Sequence, residues 1–257
     1  MNSKANKFLN FKNMVVLITG SNGIIGKELC KLYLDLGADV FGIDNKKNSL
    51  KNINYTHFVG DVSDEKFIIK KLAYIIKKKS KINVILNSAA ISIFTHFEKR
   101  TKKEILKTLD VNLIGTLNVI KSYVKIHSQK KLKSCRIVNF GSIYGIKSPD
   151  FRIYGKNDNF NSEIYGASKA SIIQMTKYFG VMYIKKNIFI NCISPGGTIS
   201  EKNKISKEFY KKYSSRTPIN RMATPKDLFT AIIYLTNSET KYTVGQNIIV
   251  DGGMTAW

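Results

Sequence analysis

Two groups of residues in this chain have the types and spacing to do chemistry. Tyr165-Gly166-Ala167-Ser168-Lys169 sets a phenol and an ammonium at i and i+4, on one face of a helix. A free tyrosine titrates at about pH 10, and an ammonium beside it favours phenolate, so the pair suits proton exchange with a substrate oxygen. Taken alone, the spacing also fits a solvated helix face. The second group is Thr19-Gly20-Ser21-Asn22-Gly23-Ile24-Ile25-Gly26, directly after an apolar run. Glycines there let backbone N–H groups approach a pyrophosphate, and a helix that opens at the turn adds partial positive charge. A merely tight turn is the plain alternative. Asp44 weighs against it: 24 residues beyond Gly20 and at the end of the next apolar run, it stands where a βαβ dinucleotide site places an acid on the adenosine ribose. Turn and acid together indicate dinucleotide binding.

The elements that must position these groups are short β-branched runs alternating with amphipathic helical segments, the pattern of a parallel sheet covered on both faces. Strands are predicted at 14–18, 39–43, 55–59, 83–86, 136–140, 188–193 and 247–250. Helices are predicted at 26–36, 65–78, 102–125 as one long rod, 165–184, and 225–235 with Thr224 as cap and Pro225 in its first turn. No repeat, linker or composition break marks a second domain, so the 257 residues read as one α/β, Rossmann-like, doubly wound unit of about seven parallel strands. Residues 1–13 form an N-terminal extension.

Composition excludes several classes. At 43% hydrophobic and 23% charged, the chain is neither disordered nor a disulfide scaffold. Its apolar runs fall far short of a bilayer span of about 20 residues, and the lysine- and asparagine-rich N-terminus lacks the apolar stretch of a secretory signal. A cytoplasmic protein is expected. Cys30, Cys135 and Cys192 lie far apart without metal-ligand spacing and read as buried free thiols, with no metal site. The formal charge of +24 invites a nucleic-acid reading, yet only five of the 42 basic residues are arginine, the residue that reads phosphate and guanine bidentately. Isoleucine and asparagine, which AT-rich codons also specify, are abundant, so genome composition accounts for the lysines. No specific nucleic-acid partner is expected, and attraction of an anionic substrate is a modest bonus.

With further matches at Asp61-Val62, Asn87-Ser88-Ala89-Ala90, Asn112, Gly141-Ser142, Pro195-Gly196 and Val250-Asp251-Gly252-Gly253, the chain resembles the short-chain dehydrogenase/reductase family over nearly its whole length. The resemblance implies a single-domain NAD(P)-dependent oxidoreductase. Tyr165 would pass the proton, Lys169 would lower its pKa and bond the nicotinamide ribose, Ser142 would hold the substrate oxygen, and Asn112 would anchor a water linking Lys169 to solvent. Asp61 and Val62 would bracket the adenine, Asn87 and Ala89 would line the cofactor, and Thr198, after Pro195 and Gly196, would face the nicotinamide amide. Asp44 favours NAD, although Lys46 and Lys47 just beyond leave NADP open. The long helices, with Leu113, Leu117, Ile172 and Met175, imply a homodimer or homotetramer.

The chain departs from the family pattern in three places. Ile24 stands where the usual TGxxxGxG has glycine, giving the TGxxGxxG spacing of the sugar-nucleotide epimerase branch. Ser88 and Ala90 replace the asparagine and glycine of NNAG. Ser142 and Tyr165 are 23 residues apart, which implies an insertion at 146–162 beside the reacting centre. Its wording, with Ser142-Ile-Tyr-Gly145, Pro149-Asp-Phe-Arg-Ile-Tyr154 and Val250-Asp-Gly-Gly-Met-Thr-Ala-Trp257, is similar to members that modify flagellin or surface-polysaccharide sugars. A carbohydrate-derived alcohol or ketone is therefore the expected substrate, contacted by Tyr144 and by Arg152, with Asp150, Asn157, Asp158 and Asn159 nearby; Arg152 in a surface salt bridge is the alternative. A 3-oxoacyl thioester reductase and a non-catalytic dinucleotide-binding protein are the competing readings.

Overall fold

A computed structural model of the chain describes residues 10–48, 50–154, 160–200 and 205–257; Asn157, Asp158 and Asn159 of the insertion lie outside these. The chain runs β1 (Val15–Thr19), α1 (Ile24–Asp35), β2 (Asp39–Asp44), β3 (Tyr55–Val59), α2 (Glu65–Lys79) and β4 (Val84–Asn87). It continues through α3 (Lys102–Leu109), α4 (Gly115–Lys130), β5 (Cys135–Phe140), α5 (Glu163–Tyr183), β6 (Ile188–Pro195), α6 (Lys207–Ser214), α7 (Phe229–Thr236) and β7 (Asn247–Val250). The strands form one seven-stranded sheet in the order β3-β2-β1-β4-β5-β6-β7, parallel at every pairing. Because β1 lies between β2 and β4, strand order reverses there, and the crevice outside the carboxyl ends of these strands is where such sheets bind ligands.

Side chains of successive strand residues point to opposite faces, and β1 shows why it reads as an unbroken apolar run. Val15 and Leu17 enter one core layer with Ile68 and Leu72 of α2 and Val119 and Tyr123 of α4. Val16 and Ile18 enter the other with Leu29 and Tyr33 of α1 and Ile232 and Leu235 of α7. All three cysteines are buried free thiols, and no helix among the described residues is long and apolar enough to cross a membrane.

Several boundaries differ from the sequence reading. The rod predicted at 102–125 is two helices joined by a π-helical turn over Asp110–Ile114, and it runs on to Lys130. Apolar periodicity continues through the turn, so the pattern hides it. Helix α5 begins at Glu163 because Ser162 caps it, accepting from the Tyr165 N–H at 3.1 Å. Pro225–Leu228 is a 3-10 turn, with Thr224 and Asp227 capping each other, and α7 proper follows at Phe229. The sequence reading missed α6; its amphipathic face is only two turns long and buries chiefly Tyr213 and Ser214.

Candidate active site

The glycine turn leaves β1 with Gly20 at φ +67°, a conformation that glycine adopts freely. A Cβ on Gly26 would stand 2.1 Å from the Gly20 carbonyl oxygen, so the turn closes only around glycine. Gly23 caps α1 without a side-chain hydrogen bond, leaving the first N–H groups of the helix facing an uncapped end. This cradle fits a pyrophosphate. Asp44 reaches it directly: its carboxylate accepts from the N–H of Asn22 and of Lys46, both at 3.0 Å. Ser21 lies beneath the cradle rather than in it; its N–H donates to Ile43 and its buried hydroxyl meets His57.

The other residues expected to hold a cofactor follow along the same sheet edge. Asp61 accepts from the Ser63 N–H and pairs with Lys107 at 3.1 Å, while Asn118 of α4 donates to the carbonyls of Val62 and Ser63. That Asn118 positions this loop was not apparent from sequence. Asn87 closes β4 with its side chain buried and donating to Asn139, and the Ala89 N–H donates to Thr19 Oγ1. Neighbouring Ser88 and Ala90, the departures from the family wording, line the cavity instead.

That cavity, about 250 Å³, brings together Ser142, Tyr144, Tyr165, Lys169, Pro195, Gly196 and Thr198, with Ile25 from the glycine turn. Ser142 stands in extended backbone at the start of a 3-10 turn, and its hydroxyl accepts from the Tyr144 N–H at 3.1 Å. The turn rests directly on α5 because a Cβ on Gly145 would stand 2.7 Å from the backbone at Lys169 and Ala170. Asn161 also lines the cavity, bonded to Ser92, and nothing in its sequence context singled it out. Arg152 lies outside this cavity, exposed and paired with Asp150 at 2.9 Å.

Asn112 is 1% exposed and is not among the residues that line the cavity. Its Oδ1 accepts from the Ile91 N–H at 2.8 Å, and its Nδ2 donates to the Ile91 carbonyl at 3.0 Å and to Ser168 Oγ at 3.1 Å. With both amide hydrogens committed, its side chain positions other groups. Burial pushes the Tyr165 phenol up, and the Ser142 hydrogen bond opposes this. The Lys169 Nζ is 5.6 Å from the Tyr165 ring centre and donates to the Phe140 carbonyl at 2.7 Å. Burial pushes its own ammonium down to about 8, because low-dielectric surroundings disfavour the charged form.

A stability test follows from this. The folded pKa lies below the value of 10.5 for a free lysine, so the penalty of a buried ammonium is full below pH 8 and fades as pH rises toward 10.5. In urea titrations without cofactor, the wild type should gain up to about 3 kcal/mol over Lys169→Met across that range. A pH-independent difference would contradict the burial effect.

Comparison with known proteins agrees with this geometry. A family model described as enoyl-(acyl carrier protein) reductase matches residues 20–255. The 3-oxoacyl-(acyl-carrier-protein) reductase FabG of Buchnera aphidicola subsp. Schizaphis graminum is 29% identical over 253 residues, covering 96% of this chain and 99% of that protein. The NADH-dependent L-xylulose reductase of Ambrosiozyma monospora is 29% identical over 272 residues, covering 96% and 97%. A short-chain dehydrogenase from Leptospira borgpetersenii serovar Hardjo-bovis, solved with bound NAD+, is 34% identical with a TM-score of 0.90, covering 99% of this chain and 96% of that one. A likeness that runs from the first glycine of the turn almost to the C-terminus involves the whole scaffold, not one motif. The chain belongs to the short-chain dehydrogenase/reductase family and is an NAD(P)-dependent oxidoreductase.

Proposed function

We propose that this enzyme interconverts a secondary alcohol and a ketone on a carbohydrate-derived substrate, with NAD as the preferred cofactor, in the cytoplasm. The observation that carries the reaction is that Ser142, Tyr165, Lys169 and Thr198 line one cavity. Bound nicotinamide supplies or accepts the hydride. In the reducing direction the Ser142 hydroxyl holds the carbonyl oxygen and Tyr165 Oη delivers the proton to it. Lys169 stands behind Tyr165 to hold the nicotinamide ribose, and Asn112 keeps the helix of both residues in place. The glycine turn would hold the pyrophosphate, Asp44 the adenosine ribose, and Asp61 and Val62 the adenine.

Support for a hydroxyl-rich substrate comes from the polar groups at the cavity: Asn161, and Tyr144 with its hydroxyl 3.2 Å from that of Tyr154. The narrower reading, a sugar of flagellin or surface-glycan biosynthesis, rests on the sequence wording around Ser142, Pro149 and the C-terminus. A 3-oxoacyl thioester is favoured by a different observation: a cavity of about 290 Å³, walled by Phe97, Phe151 and Phe160, adjoins the catalytic one at Asn161 and would suit an acyl chain. Nucleotide sugars, sugar phosphates and acetoacetyl thioesters screened by nicotinamide absorbance separate the two.

We also infer a homodimer or homotetramer built on α4 and α5. Ile172, expected at that surface, is buried in the chain's own core. Leu117, also expected there, lines a groove of about 720 Å³ between the two helices, and Ile114, Tyr178, Val181 and Met182 add an exposed apolar face.

Tyr165→Phe should abolish turnover with cofactor affinity retained, and Ser142→Ala should slow it by about 10² to 10³; substantial turnover in Tyr165→Phe would refute the role. Beside Asp44, a 2′-phosphate about 4 Å away would be disfavoured by up to about 4 kcal/mol, so titration should show NADH binding more tightly than NADPH. Tighter NADPH binding would mean that Lys46 and Lys47 outweigh the carboxylate. Light scattering should give a multiple of the chain mass for wild type and the single-chain mass for Val181→Glu; a monomeric wild type would refute the interface.

A further inference from the structure

A second cavity, about 190 Å³, adjoins the catalytic one, with Tyr144 lining both. It has room for about six water molecules. Three cationic side chains line it, Lys147, Arg152 and Arg216, together with Asp150 and Trp257. Arg152 Nε lies 2.9 Å from Asp150 Oδ1, and Arg216 Nε lies 3.4 Å from Asp150 Oδ2. Lys147 Nζ donates to the Met254 carbonyl at 2.9 Å. Hydrogen bonds from Arg152, with Arg216 beside it, hold the Asp150 carboxyl down to about 2. This carboxylate is therefore ionised at neutral pH and matches only one of the three cations, leaving a surplus of positive side-chain charge.

The arrangement suits an oxyanion in two ways. The guanidinium fork matches the oxygens of phosphate or carboxylate. Ion pairing and the Met254 carbonyl hold the cations in place beforehand, which lowers the ordering cost when a ligand arrives.

We propose that this cavity is an oxyanion subsite of the catalytic centre, so that the substrate is a hydroxy or oxo compound bearing a phosphate or carboxylate group. The inference rests on the reading of the Ser142 and Tyr165 cavity as the site of carbonyl chemistry. A substrate whose carbonyl meets Ser142 would extend past Tyr144 and bring its anionic group to Arg216 and Lys147.

Trp257 is the only tryptophan of the chain and lines the cavity, so its emission reports on occupancy. Inorganic phosphate, and acetate in a separate arm, are titrated into the full chain at constant ionic strength. Phosphate should produce a saturable change, about tenfold weaker in Arg216→Gln and in Lys147→Gln, and unaltered in Tyr165→Phe. Arg216→Lys keeps the charge without the fork and should bind phosphate more tightly than Arg216→Gln though less tightly than wild type, which separates lost binding from misfolding. Tighter saturation by acetate would assign the anionic group as carboxylate. No saturable response to either anion, or one that both charge-removing variants leave unchanged, overturns the proposal. Binding is read without turnover, so an inactive enzyme that still binds phosphate would refute the catalytic reading alone.

Discussion

The Asn112 carboxamide ties together three elements that sequence keeps far apart. It closes on both backbone groups of Ile91 in the segment after β4 and donates to Ser168 on α5. It does this from within the π-helical turn that joins α3 to α4. Ser168 in turn donates to the Tyr165 carbonyl at 2.7 Å, so the clamp reaches the backbone of the residue that carries the proton. A π turn costs helix geometry and is found frequently at functional sites; here it carries the side chain that fixes the proton-transfer helix against the sheet. The Asn112 and Ser168 side chains are buried, so leaving a polar group of either unpaired would cost about 1 to 3 kcal/mol.

The rest of the site follows from that frame. Parallel strands end on one edge of the sheet, so the turn after β1, Asp44 at the end of β2 and Ser142 after β5 all face the same crevice. Two close approaches then set the spacing. Gly26 lets α1 start directly over the Gly20 carbonyl, and Gly145 lets the Ser142 turn lie on the backbone of Lys169. Burial raises the pKa of the Tyr165 phenol and lowers that of the Lys169 ammonium, so the two values move apart across a short span of one helix.

Much of this was legible in the sequence because it rests on local rules. The β1 run, the glycine turn and Asp44 are a contiguous βαβ unit, and YxxxK is a single helical turn. What the sequence did not show depends on partners distant in the chain. Asn112 reads as a helix residue until its contacts with Ile91 and Ser168 are seen, and the π turn leaves the apolar period intact. Ile172 and Val181 lie on the same amphipathic helix, and only the packing of α5 against the sheet decides that the first is buried and the second exposed. Arg152 was legible as a cation near the site with a surface salt bridge as its alternative, and its pairing with Asp150 two residues away is local, whereas the neighbourhood of Lys147 and Arg216 depends on how the chain folds back past Met254.

Asn112 locks the segment after β4 and the Tyr165 helix into one frame. Amide hydrogen exchange in wild type and Asn112→Ala measures this directly, at Ile91 and across Glu163–Lys169. If the clamp holds as described, the variant loses protection at both places by about tenfold or more, while strands β1 and β2 exchange as before. Unchanged protection at Ile91 and at the start of α5 would contradict the account.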